Sequence, residues 1–156
     1  NYWLIQGAGH DWNVWKQSFW NFSQMACEAG FTDSEPLKPI SAFDKMEAEN
    51  YNNQSGIQVE TCTDTGGGKD IGNIENGDYT VYKNMDFDTG TTSFQARVAS
   101  DTNGGKIEIR LDSPTGKLIG TCSVAGTGGW QVWADVKCSV SGVTGQHDLY
   151  LKFTGE

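Results

Sequence analysis

The chain has 156 residues, with 20 acidic against 11 basic side chains and a formal net charge of -9 at pH 7. This length allows one domain with a full core plus a short appendage. The negative charge argues against nucleic acid and anionic membranes as partners, because both require a basic surface. Twenty glycines and six tryptophans among only 37% hydrophobic residues indicate a loop-rich β protein that exposes aromatic side chains.

The first 31 residues contain a short apolar run, a glycine-rich turn and an amphipathic pattern. Tyr2 to Gln6 has the composition of a strand and leads into the turn GAG, which is followed by His10. From Trp12 to Gly30 apolar residues recur at three- and four-residue spacing. This spacing predicts a helix of about 19 residues, with Asp11 as its N-cap.

The run GAGHDWNVWKQSFWNF resembles the C-terminal end of feruloyl esterases of carbohydrate esterase family 1, which are α/β-hydrolases. The resemblance implies that residues 1–31 are the remnant of an esterase domain and that His10 matches the histidine of its catalytic triad. No G-x-S-x-G nucleophile elbow occurs in the chain. We therefore expect no esterase activity from these residues alone, and the resemblance assigns that activity to a longer parent protein with an upstream esterase domain.

The segment 32–43 is polar and contains Pro36 and Pro39, which is typical of a linker. After it, MEAENY predicts a strand with Glu47 and Glu49 on one face. Further on, Ile107, Ile109 and Leu111 alternate with charged residues, and similar apolar rows recur at 94–98, 132–136 and 149–153. Half-buried strands separated by Gly, Asn and Asp turns predict an all-β antiparallel sandwich over residues 44–156.

The chain has four cysteines, and whether they form disulfides bears on where the protein is located. Cys122 has the strand parity of Val124 and Cys138 that of Val136, so both side chains are expected on the inner side of neighbouring strands. We predict a disulfide between them, which would close a loop of about 15 residues and contribute roughly 3 kcal/mol. Free or buried thiols are the alternative. A disulfide favours an exported, extracellular protein.

Several stretches of the β region resemble the family 6 carbohydrate-binding modules. The match runs from GIQVETCTDTGGGKDIGNIENGDYTVYKNMDF through FQARVAS, GGKIEIRLDSPTGKLIGT and TGGWQVW to GVTGQHDLYLKF. It implies a lectin-like jelly roll, a structural calcium ion and recognition of plant cell-wall polysaccharide, such as xylan or another β-glucan.

The resemblance also implies particular sugar-binding residues. A pyranose has one face of C–H bonds and a rim of hydroxyls, so its receptor needs an exposed aromatic ring beside fixed polar groups. Trp130 follows a glycine-rich loop and matches the family's cleft tryptophan, the alternative being a tryptophan at the edge of the core. Glu60 matches a cleft carboxylate that accepts hydrogen bonds from hydroxyls, the alternative being a solvated strand charge.

The family's second cleft aromatic is replaced here by Asn73. Asparagine can hydrogen-bond a hydroxyl, but it cannot complete a clamp of two rings. Tyr79 is a candidate replacement for the missing ring, and a tyrosine of the core or of a sheet edge is the alternative.

A calcium site is the second feature that the resemblance implies, with two carboxylates of the first strand, backbone carbonyls and a last-strand aspartate as ligands. Glu47 and Glu49, two residues apart on a strand, can converge on one hard cation. An ordinary charged outer face is the alternative. The aspartate has no counterpart before Glu156, so we expect the module of residues 44–156 to lack its last strand.

These observations together predict noncatalytic carbohydrate binding that targets an appended esterase to its substrate. Two alternatives stay open. One is a piece of an active feruloyl or acetyl-xylan esterase that uses His10. The other is a structural or adhesion sandwich that does not bind sugar, which Asn73 favours.

Overall fold

The computed structural model describes residues 38–155, which fold into ten β-strands and contain no helix. The all-β class is therefore as predicted. The esterase-like residues 1–31, their predicted helix and His10 lie outside the described part of the chain. The strands are β1 Ile40–Ser41, β2 Asn53–Ser55, β3 Gln58–Thr61, β4 Lys69–Gly72, β5 Tyr79–Asp86, β6 Ser93–Ser100, β7 Gly104–Leu111, β8 Leu118–Ala125, β9 Gly129–Ser139 and β10 Gln146–Thr154.

The larger sheet has six strands in the order β1-β5-β10-β7-β8, with β2 also paired to β5. All of these pairs are antiparallel except β1 with β5. The opposite layer contains the antiparallel pairs β3–β4 and β6–β9. From β5 onward the chain crosses between the layers four times: β6 leaves the larger sheet, β7 and β8 return to it, β9 leaves it again and β10 returns. Two layers of mainly antiparallel strands form the sandwich that the sequence predicts.

The core lies between the larger sheet and the β6–β9 pair. Ile107, Ile109 and Leu111 of β7 are all buried, which confirms the alternation seen in the sequence. Each stands opposite an apolar residue of β10, in the pairs Phe153–Ile107, Leu151–Ile109 and Leu149–Leu111. Phe94, Ala96, Val98 and Val136 pack against this row from the other layer.

Two predictions at the start of the module are wrong. Ile40–Ser41 pair with Met85 and Asp86 of β5, and Ala42 packs on the core, so these residues belong to the sandwich rather than to a linker. The segment MEAENY is a turn, in which Asn50 N donates to the Glu47 carbonyl at 3.1 Å. A strand needs a ladder partner, and no described strand pairs with residues 46–51.

The predicted disulfide between Cys122 and Cys138 is not formed in this structure, which contains both residues as thiols. Their inner-face positions are as expected, since Cys122 is part of the core and Cys138 packs against it. Burial, together with the neighbouring Cys122 thiol, raises the pKa of Cys138 to about 12. Because the thiolate is the species that reacts, this raised pKa makes Cys138 a poor nucleophile at neutral pH.

Candidate functional site

Trp130 lies in a bulge at the start of β9. Ser100 of β6 stands opposite Gly129, but the preceding Ala99 stands opposite Trp133, so three residues of β9 are inserted between these two pairs. Bulges of this kind re-aim side chains next to binding sites. Within the bulge the Trp130 residue is 61% exposed. The alternative of a tryptophan at the edge of the core is therefore wrong.

Val132 belongs to the same bulge, and its predicted place in the inner row of the strand is wrong. The sequence pattern places Val132 in an inner row with Ala134 and Val136, but Val132 is 51% exposed. The inserted residues break the two-residue alternation, so the inner row of β9 begins only at Ala134, which stands opposite Val98.

The loop that leads to Trp130 is held by hydrogen bonds to Ser100, a buried residue at the end of β6. Ser100 N donates to Thr127 Oγ1 at 2.8 Å, and Thr127 N donates back to the Ser100 carbonyl at 2.8 Å. Gly126 is required, since a Cβ there would lie 2.2 Å from the Thr102 carbonyl oxygen. The indole of Trp130 is thus presented from a fixed support rather than from a flexible loop.

Gln131, the residue after Trp130, connects the bulge to the β3–β4 hairpin. Its Oε1 atom accepts from Thr63 N and Thr63 Oγ1, both at 2.9 Å, and from Trp133 Nε1 at 3.3 Å. Its Nε2 atom donates to Asp70 Oδ2 at 3.2 Å. The side chain therefore spans from β9 to the turn after β3 and to β4.

Glu60 and Asn73 lie on this same hairpin. Glu60 of β3 stands directly opposite Asp70 of β4, and its carboxyl group lies over Gly72, where a Cβ would be 2.9 Å from Glu60 Oε1. Asn73 follows Gly72, is exposed and has a φ of 54°, a left-handed conformation that asparagine tolerates better than most residues. Because Asp70 contacts Gln131, the hairpin that carries Glu60 and Asn73 is joined to the strand that carries Trp130.

Tyr79 lies on the larger sheet. It stands opposite Lys152 of β10, the neighbour of the core-facing Leu151, so it faces away from the core, and its ring centroid is 5.8 Å from that of Tyr150. The structure pairs Tyr79 with Tyr150 on the outer face of this sheet and does not pair it with Trp130. A role for Tyr79 in sugar binding stays a prediction.

The two predicted calcium ligands differ in their surroundings. Glu49 Oε2 is buried and has no hydrogen-bond partner among the described residues, whereas Glu47 Oε1 forms an exposed ion pair with Lys45 Nζ at 2.8 Å. In the range 38–155 no group of three or more His, Cys, Asp or Glu side chains is arranged to hold a metal ion. Glu49 therefore has the free oxygen that a cation needs, while Glu47 would first have to leave Lys45.

An ion-pair cluster anchors the turn after β3 on the β6–β9 layer. Arg97 Nε and Nη2 donate to the two carboxylate oxygens of Asp64 at 2.6 and 2.9 Å, and Arg97 Nη1 donates to Asp135 Oδ1 at 3.3 Å. The bidentate bond to the Arg97 guanidinium lowers the pKa of Asp64 to about 2. Neither this pair nor the Gln131 contacts has a signal in the sequence, because the partners are far apart along the chain.

The Asp64–Arg97 pair predicts a pH dependence of stability. A carboxyl group whose pKa falls on folding from 3.8 to about 2 stabilises the fold above pH 3.8, and this stabilisation is lost as the pH falls toward 2. We expect the melting temperature of Asp64→Asn to fall less between pH 4 and pH 2 than that of the wild type, as measured by circular dichroism. Asp101→Asn, at an exposed aspartate, is the control and should follow the wild type. Parallel curves for Asp64→Asn and the wild type would contradict the assignment.

Comparison with known protein families and structures adds to this geometry. The family model described as carbohydrate binding module (family 6) matches residues 47–156. The chain is 43% identical over 152 residues to endo-1,4-beta-xylanase A of Thermoclostridium stercorarium, covering 96% of this chain and 28% of the relative. It is 44% identical over 131 residues to arabinoxylan arabinofuranohydrolase of Bacillus subtilis, covering 81% and 25%. The chain thus spans less than a third of either curated relative.

Two solved structures are similar along most of their own length. The crystal structure of a family 6 carbohydrate-binding module from Clostridium cellulolyticum in complex with xylose has a TM-score of 0.72 and 66% identity, covering 75% of this chain and 89% of that chain. A module from Clostridium stercorarium in complex with cellobiose has a TM-score of 0.71 and 41% identity, covering 76% and 90%. These matches support the predicted sandwich.

Proposed function

Because this chain belongs to carbohydrate-binding module family 6, a noncatalytic domain that binds carbohydrate, we propose that its ligand is xylan or a related plant cell-wall β-glycan. The exposed indole of Trp130 on its fixed bulge is the observation that carries the proposal. Relatives that are named as a xylanase and an arabinoxylan arabinofuranohydrolase, and a similar module bound to xylose, support the choice of glycan.

The proposed site consists of one aromatic ring and polar side chains from the neighbouring hairpin. A pyranose ring places its C–H face on the indole of Trp130, where apolar contact and ring polarisability favour it. The carboxylate of Glu60 accepts hydrogen bonds from sugar hydroxyls, and the side-chain amide of Asn73 donates and accepts further ones. With one ring instead of two, the expected affinity lies between millimolar and tens of micromolar, about -4 to -6 kcal/mol.

The proposed role in the parent protein is to hold a catalytic domain near the cell wall. A weak tether of this kind raises the local concentration of substrate without adding any chemistry. The curated relatives are much longer than this chain and are named as wall-degrading hydrolases. The resemblance of residues 1–31 to feruloyl esterases, with His10 as the triad histidine, favours an esterase as the partner, and it makes an extracellular location the expected one.

A panel of oligosaccharides tests the proposed ligand. We expect xylohexaose to bind the full chain in isothermal titration calorimetry with a dissociation constant of roughly 20 μM to 1 mM. Cellohexaose, laminarihexaose and mannohexaose are the comparison ligands, and bovine serum albumin is the protein control. Binding of a different β-glycan in preference to xylohexaose would correct the substrate. No heat with any glycan would favour the structural or adhesion alternative instead.

We also propose a structural calcium ion that is held by Glu49, by Glu47 after release from Lys45, and by nearby backbone carbonyls. The buried, unpartnered Glu49 Oε2 supports this site, because such an oxygen gains a partner when a cation binds. An ion that binds only the folded state stabilises it by an amount that grows with the logarithm of the ion concentration relative to the dissociation constant.

Removal of calcium should therefore lower the melting temperature. We expect a chelator to reduce it for the wild type, and we expect Glu49→Gln to melt at the same temperature with and without chelator. Differential scanning calorimetry of both proteins, with calcium added back as the control, makes the measurement. Identical wild-type melts with and without chelator would show that no ion is held there.

A further inference from the structure

We propose that Gln131 is a positioning residue, which sets the place of the Trp130 ring relative to Glu60 without itself contacting the sugar. The proposal rests on the proposed function of Trp130 and deepens it. Trp130 belongs to β9 and Glu60 to the β3–β4 hairpin, and each stands next to one member of the contact between Gln131 and Asp70 that joins the two. Trp130 precedes Gln131, and Glu60 stands opposite Asp70.

The orientation of the Gln131 amide is fixed by its partners. The backbone N–H of Thr63 can only donate, so the atom that faces it at 2.9 Å must be the oxygen Oε1. The other amide atom, Nε2, is then a donor toward Asp70 Oδ2 at 3.2 Å. Each of the four contacts thus pairs a donor with an acceptor, and a reversed amide would lose the three contacts to Thr63 N, Trp133 Nε1 and Asp70 Oδ2.

Asp70 makes this contact selective for an amide. The residue is 8% exposed, and its second oxygen, Oδ1, has no hydrogen-bond partner among the described residues. A buried carboxylate needs donors around it, and Nε2 of Gln131 supplies one. A carboxylate at position 131 would instead place two negative charges within hydrogen-bond distance, which disfavours the contact.

The contact between Gln131 and Asp70 affects the binding site because Gln131 and Trp130 both lie in the bulge of β9. The three inserted residues of β9 have no ladder partners on β6, so side-chain bonds must hold them in place. The bonds of Gln131 run to Thr63, after β3, and to Asp70, on β4. If they break, the indole before Gln131 and the carboxylate of Glu60 lose their common support, and the two halves of the site are no longer held in register.

An exchange of the amide at position 131 and the carboxylate at position 70 tests the proposal. Gln131→Glu keeps the oxygen that faces Thr63 but opposes the new carboxylate to Asp70, so we expect xylohexaose to bind about tenfold more weakly. The double variant Gln131→Glu/Asp70→Asn puts the donor on β4 and the acceptor on β9. All four hydrogen bonds are then possible again, and we expect affinity close to that of the wild type. Gln95→Glu, the same change at an exposed site on β6, is the matched control.

Two readouts are needed on the full chain. Calorimetry gives the affinity of each variant, and nitrogen-15 NMR gives the indole N–H signal of Trp133, which donates to Gln131 Oε1. We expect this signal to shift in Gln131→Glu and to return in the exchange variant. An exchange variant that misfolds or binds as weakly as Gln131→Glu would overturn the proposal, as would wild-type affinity in Gln131→Glu. If the wild type binds no glycan, the proposed function fails, while the Trp133 signal still tests the positioning.

Discussion

Trp130→Ala is expected to abolish the retardation of this chain in an affinity gel that contains soluble xylan. The indole is the largest exposed apolar surface of the candidate site, and removal of such a central aromatic side chain costs about 2 kcal/mol or more. For a tether whose whole binding free energy is about -4 to -6 kcal/mol, that loss moves binding beyond measurement. Trp130→Phe keeps a flat ring of smaller area, and we expect it to bind with intermediate strength.

Leu118→Ala provides the matched control for this experiment. Leu118 is an exposed apolar residue at the start of β8, so its truncation removes apolar surface without touching the candidate site. Its mobility in the xylan gel should equal that of the wild type. Unchanged mobility of Trp130→Ala would remove Trp130 from the site.

Ile109→Ala is expected to lower the free energy of unfolding by about 2–5 kcal/mol. Ile109 is 2% exposed in the middle of β7, opposite Leu151 of β10 and Gly120 of β8. The truncated side chain leaves a cavity between two layers that both pack on this position. Since a domain is stable by only about 5–15 kcal/mol, this single change removes a large share of the total.

Urea unfolding followed by circular dichroism measures this effect. Ile40→Ala is the control, because Ile40 is 45% exposed and its truncation leaves no cavity. We expect a clear decrease of the unfolding midpoint for Ile109→Ala, a change within about 0.5 kcal/mol for Ile40→Ala, and unchanged xylan binding for both below their melting temperatures. A midpoint of Ile109→Ala equal to that of Ile40→Ala would contradict the described core.

The regular part of the fold could be predicted from the sequence because its signal is local. In β7 each apolar residue alternates with a charged one, and this period of two determines which face is buried. The same rule fails in β9, where Val132 has the parity of an inner residue but lies in a bulge. Nothing near Val132 marks the three inserted residues, because the bulge is defined by the register with β6, a strand some thirty residues earlier.

The candidate site could be predicted only in part, for a related reason. Trp130 is identified by the glycines before it, and its exposure agrees with that expectation. The support of the ring was not predictable, since the bonds of Gln131 to Thr63 and Asp70 join residues 68 and 61 positions apart. The strand predicted around Glu47 and Glu49 fails because local alternation does not supply a ladder partner.

The central claim is that the exposed indole of Trp130, supported by the bulge of β9, is the surface on which a sugar ring rests. A nitrogen-15 NMR titration of the full chain with xylohexaose tests it most directly. We predict a saturable shift of the Trp130 indole N–H signal together with the backbone amides of Glu60 and Asn73. A titration in which these signals stay in place while those of Tyr79 and Tyr150 move would contradict the claim.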